Sequence, residues 1–160
     1  MKRIAFAATL VFLLGGGGVP TAPGFPGGHT FTGKVKCVTT FDEGPAFSST
    51  DVVTLTFFQS LNSANRQDGM VELTHTETNA AGIYLDDENL LDYTAVLDLD
   101  QGSTGLVAIS DDGGFLSGAV AEYKAKSDGS IGSLRFVSTH GFDSEIQRCS
   151  GTLKRAPLTV

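Results

Sequence analysis

Apolar and polar residues alternate along most of this chain from residue 31 onward. In the stretch 31–41, Val35 and Cys37 fall on an apolar face, while Lys34 and Lys36 fall on the opposite face. A period of two residues is typical of a half-buried β-strand, in which successive side chains point to opposite sides. The sequence therefore predicts a first strand whose inward face carries a cysteine.

The same period recurs in short stretches as far as residue 155, separated by turn-forming residues. One segment, 79–92, is less regular, and we expect there a short strand followed by a helical turn capped by Asp86 or Asp87. Apart from that segment, the pattern indicates about eight strands, the number at which an antiparallel sheet closes into a barrel. The other predicted strands cover residues 53–57, 70–77, 93–99, 106–110, 115–124, 131–139 and 146–155.

The two cysteines, Cys37 and Cys149, lie in the first and last predicted strands, each on the apolar face. Matching faces are what a disulfide between paired strands requires. We therefore predict a disulfide that pins the first strand beside the last, and an all-β fold, an antiparallel up-and-down barrel of about eight strands. The alternative is a β-sandwich with the disulfide between its two sheets.

The dipeptide Asp128-Gly129 predicts a tight hairpin, because glycine accepts the positive φ that such turns need. A two-residue loop pairs Ser127 with Ser130 and sets Glu122 opposite Arg135 on the outer face. A shift by one residue would destroy this charge match, so the sequence predicts one register.

Asp112-Gly113 predicts a second hairpin, with Ser110 opposite Phe115. This register turns a set of apolar residues outward and makes them a candidate interaction surface, covered in part by segment 79–92 or by another protein. A β-bulge at the nearby glycines would reverse the phase of one strand and bury the set instead. The set consists of Val107, Ile109, Leu116, Val120 and Val137.

The N-terminal residues have the pattern of an export signal. Lys2 and Arg3 precede an uncharged apolar run, 4–14, which is too short to span a membrane and is followed by four glycines. We predict a signal peptide at residues 1–18, a mobile leader rich in proline and glycine at 19–28, and a barrel domain at 29–156. The expected location is secreted or periplasmic, where a disulfide persists.

The first strand F-T-G-K-V-K-C, the turns D-D-G-G and S-D-G-S, and the ending R-C-S-G-T-L-K-R together carry a resemblance. The chain resembles small exported bacterial β-barrel proteins of unassigned activity. The resemblance covers residues 31–155 and implies export, a barrel and a disulfide, but no functional site.

The charge of the chain restricts its partners. The formal net charge is −7, and removal of the signal peptide leaves nine basic and eighteen acidic side chains, a net charge of −9. An acidic surface repels phosphate groups, so neither nucleic acid nor, after signal removal, a membrane is an expected partner.

Candidate chemistry in the sequence is sparse. His75 and His140 could face one interior and bind a metal with a carboxylate, but their spacing matches no metal motif. The acidic residues of 86–92, or Asp98 and Asp100, could hold a hard cation, but the segment 98–105 lacks the ligand pattern of an EF-hand loop, so a solvated acidic loop is favoured. No serine elbow or reactive thiol pairing is present. We therefore predict no catalytic residue, no metal ligand and no cofactor.

These observations predict an exported binding module without enzymatic activity, which holds a small apolar ligand, or nothing, in the barrel mouth. The alternative is a protein-interaction or inhibitor module that acts through the outer face or the N-terminal leader. The partner is thus an unknown small ligand or an exported protein.

Overall fold

The computed structural model describes residues 24–58, 63, 65–78, 84–98, 104–110, 116–142 and 145–157. They form eight antiparallel strands in a closed barrel, each paired with its neighbours along the chain. No helix long and apolar enough to cross a membrane occurs in this described part. The strands are β1 (Thr30–Phe41), β2 (Phe47–Phe57), β3 (Arg66–Thr78), β4 (Tyr84–Asp98), β5 (Thr104–Ser110), β6 (Leu116–Ala125), β7 (Ile131–Phe142) and β8 (Glu145–Arg155).

The barrel closes where β1 pairs with β8. The pairing runs from Phe31 opposite Arg155 to Phe41 opposite Glu145. Cys37 lies directly opposite Cys149, and the two form a disulfide with their Cα atoms 4.0 Å apart. The predicted barrel and disulfide are both confirmed, and the alternative of two separate sheets is excluded.

Two glycines let the backbones of β1 and β8 approach closely inside this seam. A Cβ atom on Gly33 would lie 2.5 Å from the carbonyl oxygen of Thr152. A Cβ atom on Gly151 would lie 2.7 Å from the carbonyl oxygen of Lys34. A side chain at either position would therefore push the strands apart, which explains glycine on otherwise alternating strands.

Inward-facing side chains from the strands fill the barrel and form one apolar core. Phe57 is central to it, because its ring makes edge-to-face contacts with Phe31 at 6.0 Å and with Tyr93 at 5.0 Å between centroids. The largest fully buried apolar side chains are Phe31, Phe57, Phe136, Leu55, Ile131, Leu134, Leu153, Val35, Val53, Val71 and Val107.

The prediction of a helical turn within 79–92 is wrong. Residues 84–92 belong to β4, which pairs with β3 without interruption from Thr78 opposite Tyr84 to Arg66 opposite Val96. Hydrogen bonding to β3 therefore overrides the local capping signal of Asp86 and Asp87. Since this segment is part of the barrel wall, residues 84–92 do not cover the outer face of other strands.

The prediction of a mobile leader at 19–28 is wrong for its last residues. Residues 24–27 are buried, and the ring of Phe25 belongs to the core. The amide of Gly27 donates to Oε1 of Gln67 at 2.9 Å, and the amide of Gly28 donates to the carbonyl of Phe57 at 2.8 Å. Residues 24–28 therefore act as a plug at one end of the barrel. The predicted signal peptide lies outside the described residues.

The predicted register of β6 and β7 is confirmed. Glu122 lies opposite Arg135, with Oε2 and Nη1 3.9 Å apart on the exposed outer face. The predicted two-residue loop with Ser127 opposite Ser130 is wrong. The amide of Lys126 donates to the carbonyl of Ser130, so three residues, 127–129, form the loop. A shift in the pairing between Tyr123 and Ala125 absorbs the extra residue.

The predicted register of β5 and β6 is wrong. Ile109 pairs with Ala119, whereas a two-residue turn at Asp112-Gly113 would have paired it with Leu116. The offset is three residues, and an odd offset reverses which side chains point inward. Val107 and Ile109 consequently face the core, with exposures of 0% and 3%. The turn itself lies outside the described residues.

Candidate functional site

The two ends of the barrel interior differ in chemistry. Near the plug the interior is mostly apolar, with Gln67 and Tyr123 as buried polar side chains, whereas at the opposite end most inward positions are polar. We call this second region the polar end. It is formed by side chains of β1, β2, β3, β7 and β8 beside the disulfide: Thr39, Ser49, Asp51, His75, Ser138, His140 and Gln147.

Asp51 and His75 form the centre of the polar end. Val53 on β2 pairs with His75 on β3, so Asp51, two residues before Val53, lies on the same face and diagonal to His75. Oδ2 of Asp51 is 2.7 Å from Nε2 of His75, and the side chains are 0% and 11% exposed. The bond fixes the orientation of the imidazole ring inside the barrel.

The second carboxylate oxygen of Asp51 is unsatisfied. Oδ1 has no hydrogen-bond partner within the described residues, and the same holds for the buried hydroxyl of Ser49. Leaving a buried polar group without a partner costs about 1–3 kcal/mol, and more for a charged group. Such a group inside a protein calls for an explanation, of which a ligand is one.

His140 meets His75 across the interior. β3 and β7 are four places apart in the ring of eight strands, yet the two imidazole centroids are 5.8 Å apart with their planes at 40°. The sequence suggested these two histidines with a carboxylate as a possible metal site, although their spacing matches no metal motif. The structure brings both histidines, and Asp51 beside one of them, to the same end of the barrel.

The disulfide lies against the same group. One ligating atom from each of Cys37, Asp51, His75 and Cys149 lies within 4.8 Å of the others. Oε1 of Gln147 is 3.5 Å from Sγ of Cys149, a van der Waals contact, since a disulfide sulfur carries no hydrogen. The covalent link that closes the barrel thus also forms part of the wall of the polar end.

Two phenylalanines lie at the rim of the polar end, on either side of the connection between β1 and β2. In the alternation of β1, Phe41 lies on the same inward face as Cys37 and Thr39. In the alternation of β2, Phe47 lies on the same inward face as Asp51. Their exposures are 43% and 41%. Solvent-exposed aromatic rings therefore lie at the rim of the polar end.

At the plugged end, polar groups serve the packing. Burial raises the pKa of the Tyr123 phenol, and the neighbouring Tyr93 adds to the effect, so Tyr123 stays neutral. Nη2 of Arg155 donates to Nδ1 of His29 at 3.1 Å. Burial, and then the charge of Arg155, lower the pKa of His29. These groups close this end of the barrel.

The predicted interaction surface is only partly on the outside. Val120 and Val137 lie opposite each other on the outer face, with exposures of 42% and 49%. Val107 and Ile109 are buried and therefore cannot belong to an outer surface, because the pairing of β5 with β6 turns them toward the core. Leu116 belongs to β6, but its side chain lies outside what the structure describes.

The acidic group of 86–92 does not form the expected solvated loop. Asp86, Asp87 and Glu88 lie in β4, opposite Thr76, His75 and Thr74. Asp51, in contrast, was missed by the sequence reasoning. A signal for it exists, since the alternation of β2 extended back from Val53 places Asp51 on the inward face.

Comparisons with protein-family models, with characterised proteins and with solved structures found no match to this chain. The geometry of the barrel and the chemistry of its side chains are therefore the guide to its function.

Proposed function

We propose that the protein is an exported binding module that takes a small organic cation at the polar end of the barrel. The observation that carries this proposal is the fully buried carboxylate of Asp51, whose Oδ1 has no partner within the described residues. An ammonium or amidinium group supplies both the missing hydrogen bond and the opposite charge. The proposal departs from the sequence-based expectation of a small apolar ligand, or none, in the barrel mouth, because a buried carboxylate at this end favours a charged ligand.

The rim of the polar end supports a ligand that also has a flat apolar part. Phe41 and Phe47 expose their rings at the rim of the polar end, where they can stack on a ligand ring or face a cation. The acidic character of the chain favours the approach of a positively charged ligand.

The export part of the proposal rests on the N-terminal pattern and on the disulfide. Lys2, Arg3 and the apolar run 4–14 have the order of a signal peptide. The Cys37–Cys149 bond suits an oxidising compartment such as the periplasm or the exterior of the cell.

Benzylamine is a suitable probe, because it joins an ammonium group to a single aromatic ring. We expect it to shift the NMR signals of the His75 ring in a saturable manner in the oxidised protein. A hydrogen bond to a charged group contributes about 1.5–3 kcal/mol, so Asp51→Asn should weaken binding by about 10–100-fold.

Asp68→Asn is the matched control. Asp68 is an exposed carboxylate of the same barrel that pairs with Arg66 at 2.8 Å, and its loss should leave benzylamine binding unchanged. Benzyl alcohol keeps the ring without the charge and should bind more weakly than benzylamine. The proposal is wrong if benzylamine leaves the His75 signals unchanged, or if Asp51→Asn binds it as well as the wild type does.

A second candidate is a protein-interaction module that acts through the outer wall. Val96 lies opposite Leu106, and Val120 lies opposite Val137, all on exposed outer positions of β4 to β7. Val137 also lines an open groove of about 560 Å³. Adjacent apolar residues on an outer face support a partner surface.

A further inference from the structure

The disulfide and the Asp51–His75 pair together have the composition of a metal site in its oxidised form. Cys37, Cys149, His75 and Asp51 come from four consecutive strands of the ring, β8, β1, β2 and β3. Each offers one ligating atom, and the four atoms lie within 4.8 Å of one another. Two thiolates, one imidazole and one carboxylate form a donor set that tetrahedral Zn²⁺ accepts.

We propose that reduction of the Cys37–Cys149 bond converts this cluster into a binding site for one zinc-class ion. Metal–ligand distances of about 2.0–2.3 Å place tetrahedral ligand atoms about 3.3–3.8 Å apart. The cluster therefore has to contract by about 1 Å at its widest, while the two sulfurs move apart from their bonded distance. Ligation through Oδ1 of Asp51 would give a partner to the oxygen that is unsatisfied in the oxidised protein.

The chemistry balances with a dithiol or a phosphine as reductant. A dithiol transfers two electrons and two protons to the disulfide and becomes a disulfide itself, which leaves two thiols on the protein. A phosphine supplies the two electrons and becomes a phosphine oxide, while one water molecule provides the oxide oxygen and both thiol protons. Zn²⁺ then displaces both thiol protons and binds the thiolates. In the reverse direction, a disulfide oxidant takes two electrons from the thiolates and becomes two thiolates itself, the sulfur–sulfur bond of the protein forms and the ion leaves. Disulfide and metal thus exclude each other.

The barrel provides a scaffold for the reduced state. β1 and β8 are joined by backbone pairing from Phe31 to Phe41, so the closure of the ring does not depend on the disulfide alone. The four residues are held on adjacent strands with little exposure, which fixes their relative positions before a metal arrives. A bound ion would delay disulfide formation in a newly folded chain.

Co²⁺ is the probe for this site, because tetrahedral thiolate-bound Co²⁺ absorbs in both the visible and the near ultraviolet. The full chain is reduced with a phosphine without oxygen, its β-structure is checked by circular dichroism, and Co²⁺ is then titrated in. We expect one ion per chain, with a sulfur-to-cobalt charge-transfer band in the reduced protein and none in the oxidised protein. Zn²⁺ should displace the cobalt and abolish the bands.

His75→Ala and Asp51→Asn should each weaken Co²⁺ binding by at least about tenfold. His29→Ala is the matched control, because His29 lies at the plugged end, and it should bind as the wild type does. If the reduced chain does not fold alone, refolding with Co²⁺ present must produce the same bands. The proposal is wrong if neither procedure gives the charge-transfer band, or if both site variants bind with wild-type affinity. Neither result affects the benzylamine test, which uses the oxidised protein.

Discussion

Removal of the disulfide should destabilise the barrel by an amount that follows from the length of the loop it closes. Cys37 and Cys149 are separated by 112 residues. The chain-entropy model gives a crosslink of this span about 4.8 kcal/mol, because it restricts the unfolded chain. For a domain of this size, that corresponds to a decrease in melting temperature of about 15–20 °C.

The measurement compares urea unfolding of the oxidised protein, of the phosphine-reduced protein and of the Cys37→Ala/Cys149→Ala variant, with a chelator present throughout to exclude metal stabilisation. The reduced protein keeps both sulfurs in the core and therefore isolates the crosslink. The double alanine variant should be somewhat less stable still, because it also removes buried atoms. The slope m should increase without the crosslink, since the unfolded chain then exposes more surface.

A loss of less than about 1 kcal/mol in the reduced protein would refute this reasoning, since the chain-entropy model predicts several times that amount. One explanation would be that the two ends of the unfolded chain already lie close together without the crosslink. The other would be that strain in the native disulfide cancels the stabilisation gained from the lower entropy of the unfolded chain. An unchanged m would point to the first explanation.

Two further predictions concern the outer wall and the plugged end. Val120→Lys should change the free energy of unfolding by no more than about 0.5 kcal/mol and should abolish any self-association seen by sedimentation. Val107→Lys should unfold the domain, because Val107 is buried. If Val120→Lys also unfolds the domain, Val120 belongs to the core. For His29, the native pKa is lowered from 6.5, so below about pH 6.5 the unfolded chain takes up the proton first and stability decreases. The loss between about pH 7.5 and 5.5 should therefore be smaller in His29→Gln, as measured by urea unfolding, and an equal loss would contradict the assigned cause.

The sequence determined most of the strands, the inward faces of strands such as β1 and β2, and the link between the first and last strands. Alternation with a period of two is a local property, so it places Val35 and Cys37 on one face without knowledge of the fold. The Glu122–Arg135 register could also be predicted, because the charge match favours one pairing over its neighbours. The number of predicted strands, together with one cysteine in the first strand and one in the last, favoured a closed barrel.

The tertiary structure decided what depends on long-range pairing. The observed pairing of β5 with β6 differs from the predicted pairing by three residues, because the Asp-Gly dipeptide does not determine the length of the connection. Since three is an odd number, the shift turns Val107 into the core. The plug formed by residues 24–28 depends on contacts with Gln67 and Phe57, far along the chain.

The candidate site depends most strongly on the tertiary structure. Asp51, His75 and His140 lie on three different strands, two of them on opposite sides of the ring. Nothing in their sequence spacing indicates that they meet, because only the closure of the barrel brings these positions to one end of a single interior. Alternation alone could place each of them inward, while the distances between them follow from the number of strands and the register of every pair in the ring.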